Sequence, residues 1–163
     1  MTMKRHVVNL LAVALLVLGL AGCGAKTVIF AGESEPADFS LSFQEPQEFK
    51  YMIQEEGKEF GWAIELTYFP EQMQGWDNVP VYYIHIAPDG KESDGKFNLP
   101  IKDSKGEWIG AVQENGHDRR TEVTFKEGLK LAPGQHVMKF YGDNAKQGQP
   151  ILGIVRFTFK VFG

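Results

Sequence analysis

One residue of this chain stands out for its chemistry, because Cys23 is the only cysteine among 163 residues. Its thiol can be alkylated, and it follows directly on a small residue, Gly22. An apolar run over residues 7–20 comes before it, and Lys4 and Arg5 give the chain a positive start. A transmembrane helix needs about 20 apolar residues. The run is shorter than that, so the pattern favours an export signal that is cleaved.

The order of these features, ending in Leu20-Ala21-Gly22-Cys23, resembles the export signal of bacterial lipoproteins. This resemblance implies cleavage between Gly22 and Cys23, a diacylglyceryl group on the Cys23 sulfur and an acyl chain on its freed amine. Two or more acyl chains anchor a protein stably, whereas one binds only marginally. We therefore expect Cys23 to hold the protein on a membrane. Gly24 is not acidic, and by the sorting rule of enterobacterial lipoproteins this favours the outer membrane, with the domain facing the periplasm.

The composition predicts an acidic domain without disulfides. Residues 1–22 carry two basic and no acidic residues, so their removal leaves 141 residues with fifteen basic and twenty-one acidic side chains, a net charge of −6. Such a domain lacks the basic surface that nucleic acids require, so we expect no nucleic-acid partner. Because the only cysteine is assigned to lipid, side-chain packing must stabilise the fold.

Beyond residue 38, apolar and polar residues alternate with a period of two, starting with Phe39, Leu41 and Phe43 and most clearly over residues 60–68 and 155–161. This alternation is typical of strands with one buried face. Turn dipeptides such as Asn115-Gly116 separate the apolar runs, and no helical periodicity follows the signal. The sequence therefore predicts an all-β domain, an antiparallel β-sandwich of jelly-roll or immunoglobulin-like type with eight or nine strands.

Three segments make up the predicted chain. Residues 1–22 form the signal, residues 23–38 hold the lipidated cysteine and a polar tether, and residues 39–163 form the sandwich. The tether contains a short apolar patch over residues 28–30 that could add a first edge strand. Pro100 falls within an alternating run, and because proline cannot donate to a strand ladder, that run is predicted to lie at a sheet edge or to carry a bulge.

Few residues show a pattern suited to catalysis or metal binding. His85, His117 and His136 lack the close spacing of zinc ligands. We expect His85 to be a solvated or hydrogen-bonded strand residue, and His117-Asp118 to belong to a turn. No serine lies in a Gly-x-Ser-x-Gly elbow, and no glycine-rich phosphate loop occurs. We therefore expect no catalytic residues, no cofactor and no metal, and an enzyme is the third hypothesis.

Trp76 is the residue that the sequence singles out for contact with a ligand or partner. It lies in the polar segment Gln74-Gly75-Trp76-Asp77-Asn78 between two strand patterns, whereas Trp62 and Trp108 lie within strand patterns and are expected in the core. A loop tryptophan can stack on a sugar ring or anchor a protein contact. It can also fold back over the core. Binding of a glycan or another small envelope ligand is therefore the alternative function.

The sequence carries a second likeness in residues 20–23, 62–66, 97–110 and 138–161. In these segments it resembles the small lipoproteins of the gliding-motility H family of Bacteroidetes. The resemblance implies an all-β envelope lipoprotein that serves as a non-enzymatic component of a gliding or secretion apparatus. The main hypothesis is accordingly an accessory or scaffold lipoprotein that contacts an envelope protein partner.

Overall fold

The computed structural model describes residues 26–144 and 148–163. Cys23 and the rest of the predicted signal lie outside the described residues. Within them the chain is all-β, with two short 3-10 helices at Ala37–Phe39 and Pro70–Met73. No helix in these two stretches is long and apolar enough to cross a membrane.

Of the eleven strands in the described residues, nine pair in two main antiparallel sheets. In chain order they are β1 (Val28–Ser34), β2 (Ser40–Leu41), β3 (Gln47–Ile53), β4 (Glu59–Tyr68), β5 (Asn78–Ile86), β6 (Glu92–Pro100), β7 (Ala111–Val112), β8 (Arg119–Lys130), β9 (Gly134–Gly142), β10 (Ile151–Leu152) and β11 (Ile154–Phe162). The first sheet has the order β1-β11-β4-β8-β7 and the second has the order β3-β9-β5-β6. The short strands β10 and β2 pair separately.

The inner faces of the two sheets meet around Phe140 on β9. Its ring centroid lies 5.2 Å from those of Phe157 and Phe159 on β11, so these aromatic contacts join the two sheets. Along β9 the buried residues alternate with half-buried or exposed ones, which is the period of two that the sequence shows. The predicted antiparallel β-sandwich is confirmed. Eight of its strands are long, and three have only two residues.

The domain begins earlier than the sequence indicates. Within the stretch predicted as a tether, residues 23–38, the strand β1 pairs with β11 from Val28 opposite Phe162 to Ser34 opposite Phe157. Phe30 explains this pairing, because its ring packs 5.7 Å from Tyr51 and 6.0 Å from Phe159, measured between centroids. The apolar patch is therefore part of the sheet.

The outer face of the first sheet is solvated and charged. Lys160 on β11 donates hydrogen bonds to Glu65 on β4 at 2.7 Å and to Glu122 on β8 at 2.6 Å. Burial acts to lower the pKa of Lys160, but the hydrogen bonds to both carboxylates outweigh it and raise the pKa. Such partly exposed ion pairs contribute little to stability. The aromatic core is therefore the main source of stability.

At the edge of the second sheet, Pro100 is the last residue of β6, which pairs with β5 alone. The edge position predicted from this proline is correct. An edge strand leaves one row of its backbone groups without ladder partners, so the missing N–H of Pro100 is tolerated there.

Candidate functional site

A cleft of about 550 Å³ opens at the end of the sandwich where β4 ends and β11 begins. Its volume lies in the range of small-molecule sites. Two phenylalanine rings and a set of polar side chains share its lining, which consists of Phe39, Phe69, Glu71, Gln72, Asn115, His117, Asp118, Gly153 and Val155.

Phe39 is the most unusual residue of this lining. The alternating pattern of the sequence predicted it as the first buried residue of a strand, and that prediction is wrong, because Phe39 ends a 3-10 helix and is 56% exposed. Its φ is 50°, and that of Asp38 is 54°, so both lie in the left-handed region. For residues other than glycine this backbone costs about 1–3 kcal/mol each. An exposed ring returns little hydrophobic stabilisation for that cost.

The backbone of Gly153 holds the two phenylalanines of the cleft in place. Its N–H donates to the carbonyl of Phe39 at 2.9 Å, and its carbonyl accepts from the N–H of Phe69 at 2.8 Å. Gly153 has a φ of 90°, and a Cβ at this position would lie 2.7 Å from Cγ of Met73. Only glycine fits both the conformation and the space.

The polar side of the cleft comes from the tight turn before β8. Oδ1 of Asn115 accepts hydrogen bonds from the backbone N–H groups of His117 and Asp118, both at 3.0 Å, and its Nδ2 donates to Asp118 at 2.8 Å. His117 and Asp118 therefore belong to a turn, as the sequence indicates. The turn places amide, imidazole and carboxylate groups at the cleft.

Trp76 lies near the cleft without lining it. Its side chain is half-buried and packs against the core, and its backbone N–H donates to the carbonyl of Met73 at 3.0 Å. The loop that carries it does reach the cleft, but through Phe69, Glu71 and Gln72. The sequence singled out Trp76 as a ligand or partner contact, and it did not single out Phe39 or Phe69. Nothing in the sequence marked Phe39 as exposed, because its position fits the alternation.

A second group of polar side chains is buried toward the other end of the sandwich. His85 on β5 and His136 on β9 are both buried, and Nε2 of His85 lies 2.9 Å from Nδ1 of His136. Nε2 of His136 lies 2.8 Å from the carbonyl oxygen of Ala132, which only accepts, so this nitrogen carries a proton and Nδ1 accepts from His85. Burial, and then the neighbouring His136, lower the pKa of His85 to about 4.

This histidine pair does not form a good catalytic base. Ser93 lies opposite His85 on β6, with Oγ 3.4 Å from Nδ1. An imidazole with a pKa of about 4 is a weak base at neutral pH, so it activates a hydroxyl poorly. Tyr51 and Trp62 pack on the two histidines, and Oη of Tyr51 and Nε1 of Trp62 are buried without a well-oriented hydrogen-bond partner. We interpret the group as a neutral part of the core.

A third surface combines aromatic and polar groups on the outer face of the second sheet. Tyr82 and Tyr141 are cross-strand neighbours with ring centroids 6.0 Å apart. Tyr82 donates to Asp94 at 2.9 Å, and Lys96 pairs with Asp143 at 3.0 Å. Over residues 26–144 and 148–163, no three histidine, cysteine or acidic side chains converge to hold a metal.

No model of a known protein family and no curated protein sequence matches this chain. Several solved structures share its fold. The CBM27-1 module of Caldicellulosiruptor saccharolyticus, solved with mannohexaose, has a TM-score of 0.40 and 14% identity over 86% of this chain and 85% of its own. A family 35 carbohydrate-binding module from Clostridium thermocellum has a TM-score of 0.36 and 10% identity over 83% of this chain and 92% of its own.

An enzyme also appears among these similar structures. The fructofuranosidase of Schwanniomyces occidentalis has a TM-score of 0.37 and 8% identity over 85% of this chain, which spans 34% of that enzyme. All three likenesses are too distant to assign a ligand or a reaction. The likenesses concern the fold of this chain alone.

Proposed function

We propose that this protein is a non-enzymatic binding module of the bacterial cell envelope and that its cleft binds a glycan. The observation that carries the proposal is Phe39, a 56% exposed ring on a left-handed backbone beside the cleft. Strained residues persist where the surrounding structure holds them, and they concentrate at ligand sites. Hydrogen bonds to Pro36 and Gly153 hold the backbone of Phe39.

The lining of the cleft fits the chemistry of sugars. A pyranose ring has an apolar C–H face that stacks on an aromatic ring, and its edge carries hydroxyl groups that both donate and accept hydrogen bonds. Phe39 and Phe69 supply aromatic surface, and Gln72 and Asn115 supply amide groups. Two carboxylates, Glu71 and Asp118, also line the cleft, and its lining contains no lysine or arginine. Neutral or amino sugars are therefore better suited to it than acidic ones.

The low pKa of the buried His85 supports binding without catalysis. Ser93 lies close to this imidazole, but a pKa of about 4 makes His85 a poor general base for the serine hydroxyl. Contact with an envelope protein partner and membership of the gliding-motility H family stay predictions from the sequence.

We also propose that Cys23 is lipidated after cleavage behind Gly22 and that the lipid places the protein at the outer membrane, facing the periplasm. The support is the order of charge, apolar run, small residues and cysteine in the first 23 residues. Cys23→Ala should move the protein from the membrane fraction to the soluble fraction. Unchanged partition of this variant would refute lipidation as the anchor.

A glycan array probed with the wild type and two variants tests the binding function. Phe39→Gly removes the ring and the backbone strain together, and Val112→Ala is the matched control, since Val112 is exposed to the same extent and does not line the cleft. We expect the wild type and Val112→Ala to bind the same glycans and Phe39→Gly to lose at least tenfold in affinity. Equal binding by all three proteins, or by none, would contradict the assignment of the cleft.

A further inference from the structure

The predicted lipid site lies very close in sequence to Thr27, whose backbone is hydrogen-bonded to that of Gly163. The N–H of Thr27 donates to the carbonyl of Gly163 at 3.1 Å, and the N–H of Gly163 donates to the carbonyl of Thr27 at 3.0 Å. Three residues separate Cys23 from Thr27. Even a fully extended chain spans at most about 14 Å over that interval. A lipid on Cys23 would thus keep this end of the sandwich close to the bilayer surface.

The same end of the sandwich exposes apolar side chains. Val28, Ile29 and Met52 are 53%, 47% and 56% exposed, and they are three of the six large hydrophobic residues that are exposed over the described residues. Ile29 and Met52 also line a groove of about 460 Å³ together with Phe60. Exposed apolar patches mark protein or membrane contact sites.

The charges around this groove decide which kind of lipid surface it fits. The charged residues of the groove lining are Glu55 and Lys58, which pair with each other at 2.5 Å, and Lys26, the residue before Thr27, pairs with Glu127. A polybasic segment would select anionic headgroups. A surface without net charge is suited to zwitterionic lipids, and its contact should depend little on salt.

We infer that this end, defined by Val28, Ile29 and Met52, rests on the membrane surface and fixes the orientation of the domain. The inference depends on the proposed lipidation of Cys23. Strand β11 connects this end to the cleft, from Phe162 to Ile154, and its nine residues span roughly 26 Å. The cleft therefore opens away from the bilayer, toward ligands beyond the headgroups.

Two single-cysteine probes on the lipidated full chain test the orientation. Met52→Cys places a thiol at the proposed contact, and Leu152→Cys places one next to Gly153 at the cleft end, where Leu152 is 50% exposed. Because Cys23 is consumed by lipid, each variant carries one free thiol for a nitrobenzoxadiazole dye. The labelled proteins are reconstituted in phosphatidylcholine vesicles that contain a spin-labelled phosphatidylcholine.

We expect the emission maximum of the dye at position 52 to shift to shorter wavelength in vesicles. The spin-labelled lipid should quench this dye at least twofold more strongly than the dye at position 152. Equal quenching, or stronger quenching at position 152, would overturn the orientation. Mass spectrometry of the same samples reports the lipid on Cys23. Absence of the lipid would overturn the anchor and the orientation together, whereas unquenched but lipidated protein overturns only the orientation. Glycan binding by the same samples is measured separately and does not depend on either result.

Discussion

His85 and His136 share one buried N–H···N hydrogen bond, 2.9 Å between Nε2 of His85 and Nδ1 of His136, with the two rings within 8° of parallel. Nε2 of His85 donates this bond and Nδ1 of His136 accepts it, because the other nitrogen of His136 carries the proton that points to the carbonyl of Ala132. Burial, and then the neighbouring His136, lower the pKa of His85 to about 4. The pair links two central strands of the second sheet.

The free energy of unfolding should fall as the solution is acidified from pH 8 to pH 5. The unfolded chain binds a proton at His85 near pH 6.5, whereas the folded protein binds it only near pH 4, so stability is full above pH 6.5 and is lost as the pH falls toward 4. At pH 5 the loss from this residue is about 2 kcal/mol. Urea unfolding at the two pH values measures it.

His85→Gln provides the comparison for this pH effect. Its amide keeps a donor for Nδ1 of His136 but does not titrate, so the variant should lose about 2 kcal/mol less than the wild type between pH 8 and pH 5. His117→Gln is the control, because His117 is exposed, and it should follow the wild type. If the wild type and His85→Gln lost the same unfolding free energy between pH 8 and pH 5, His85 would not be the cause of the pH dependence.

Phe39→Gly should stabilise the domain while it removes the proposed ligand contact. Glycine adopts a φ of 50° without strain, and the lost ring is 56% exposed, so we expect a gain of about 1 kcal/mol in urea unfolding. Phe39→Ala keeps the strain and should show no such gain. If Phe39→Gly were less stable than the wild type, the ring would have a packing role and the functional interpretation of its strain would fail.

Gly153→Ala should destabilise the cleft and the fold. A methyl group at this position meets Cγ of Met73 at 2.7 Å on a backbone with a φ of 90°, so we expect a cost of about 3 kcal/mol. Gly148→Ala is the matched control, because Gly148 has a φ of 65° but no atom within 4 Å of its added Cβ. It should cost about 1 kcal/mol. Equal costs at the two positions would show that strain alone, without crowding against Met73, explains the effect.

Phe140→Ala should lower the free energy of unfolding by about 3–5 kcal/mol, since it opens a cavity in the aromatic centre between the sheets. Leu152→Ala removes a side chain that is half exposed and should change stability by less than about 0.5 kcal/mol. Thermal or urea unfolding of both variants measures the difference. A small effect of Phe140→Ala would mean that the two sheets do not depend on this packing.

The sequence carried enough information for the sandwich because the side chains that meet between the two sheets recur at every second residue of a strand. Phe157 and Phe159 on β11 are two residues apart and both face Phe140, as a period of two requires. The pairing of His85 with His136 could not be predicted, because it depends on which strands are neighbours, and local periodicity carries no information on strand order.

The cleft could not be predicted from the sequence for a related reason. Phe39 fits the alternation but lies on a left-handed backbone that neither residue type nor spacing indicates. Gly153 joins the loops of Phe39 and Phe69, which are distant in sequence, through its two backbone hydrogen bonds. Of the two positions that the sequence left open for the ring of Trp76, packing against the core is the one observed, and its contact with a ligand or partner stays a prediction.

The most direct measurement of the central claim is an amide NMR titration with a glycan selected by the array. Binding in the cleft predicts that the largest shifts fall on Phe39, Phe69, Gly153 and the turn at residues 115–118, and that Phe39→Gly abolishes them. The outer face around Tyr82 and Tyr141 should shift little. Shifts centred on those tyrosines, or the same shifts in Phe39→Gly, would contradict the cleft as the binding site.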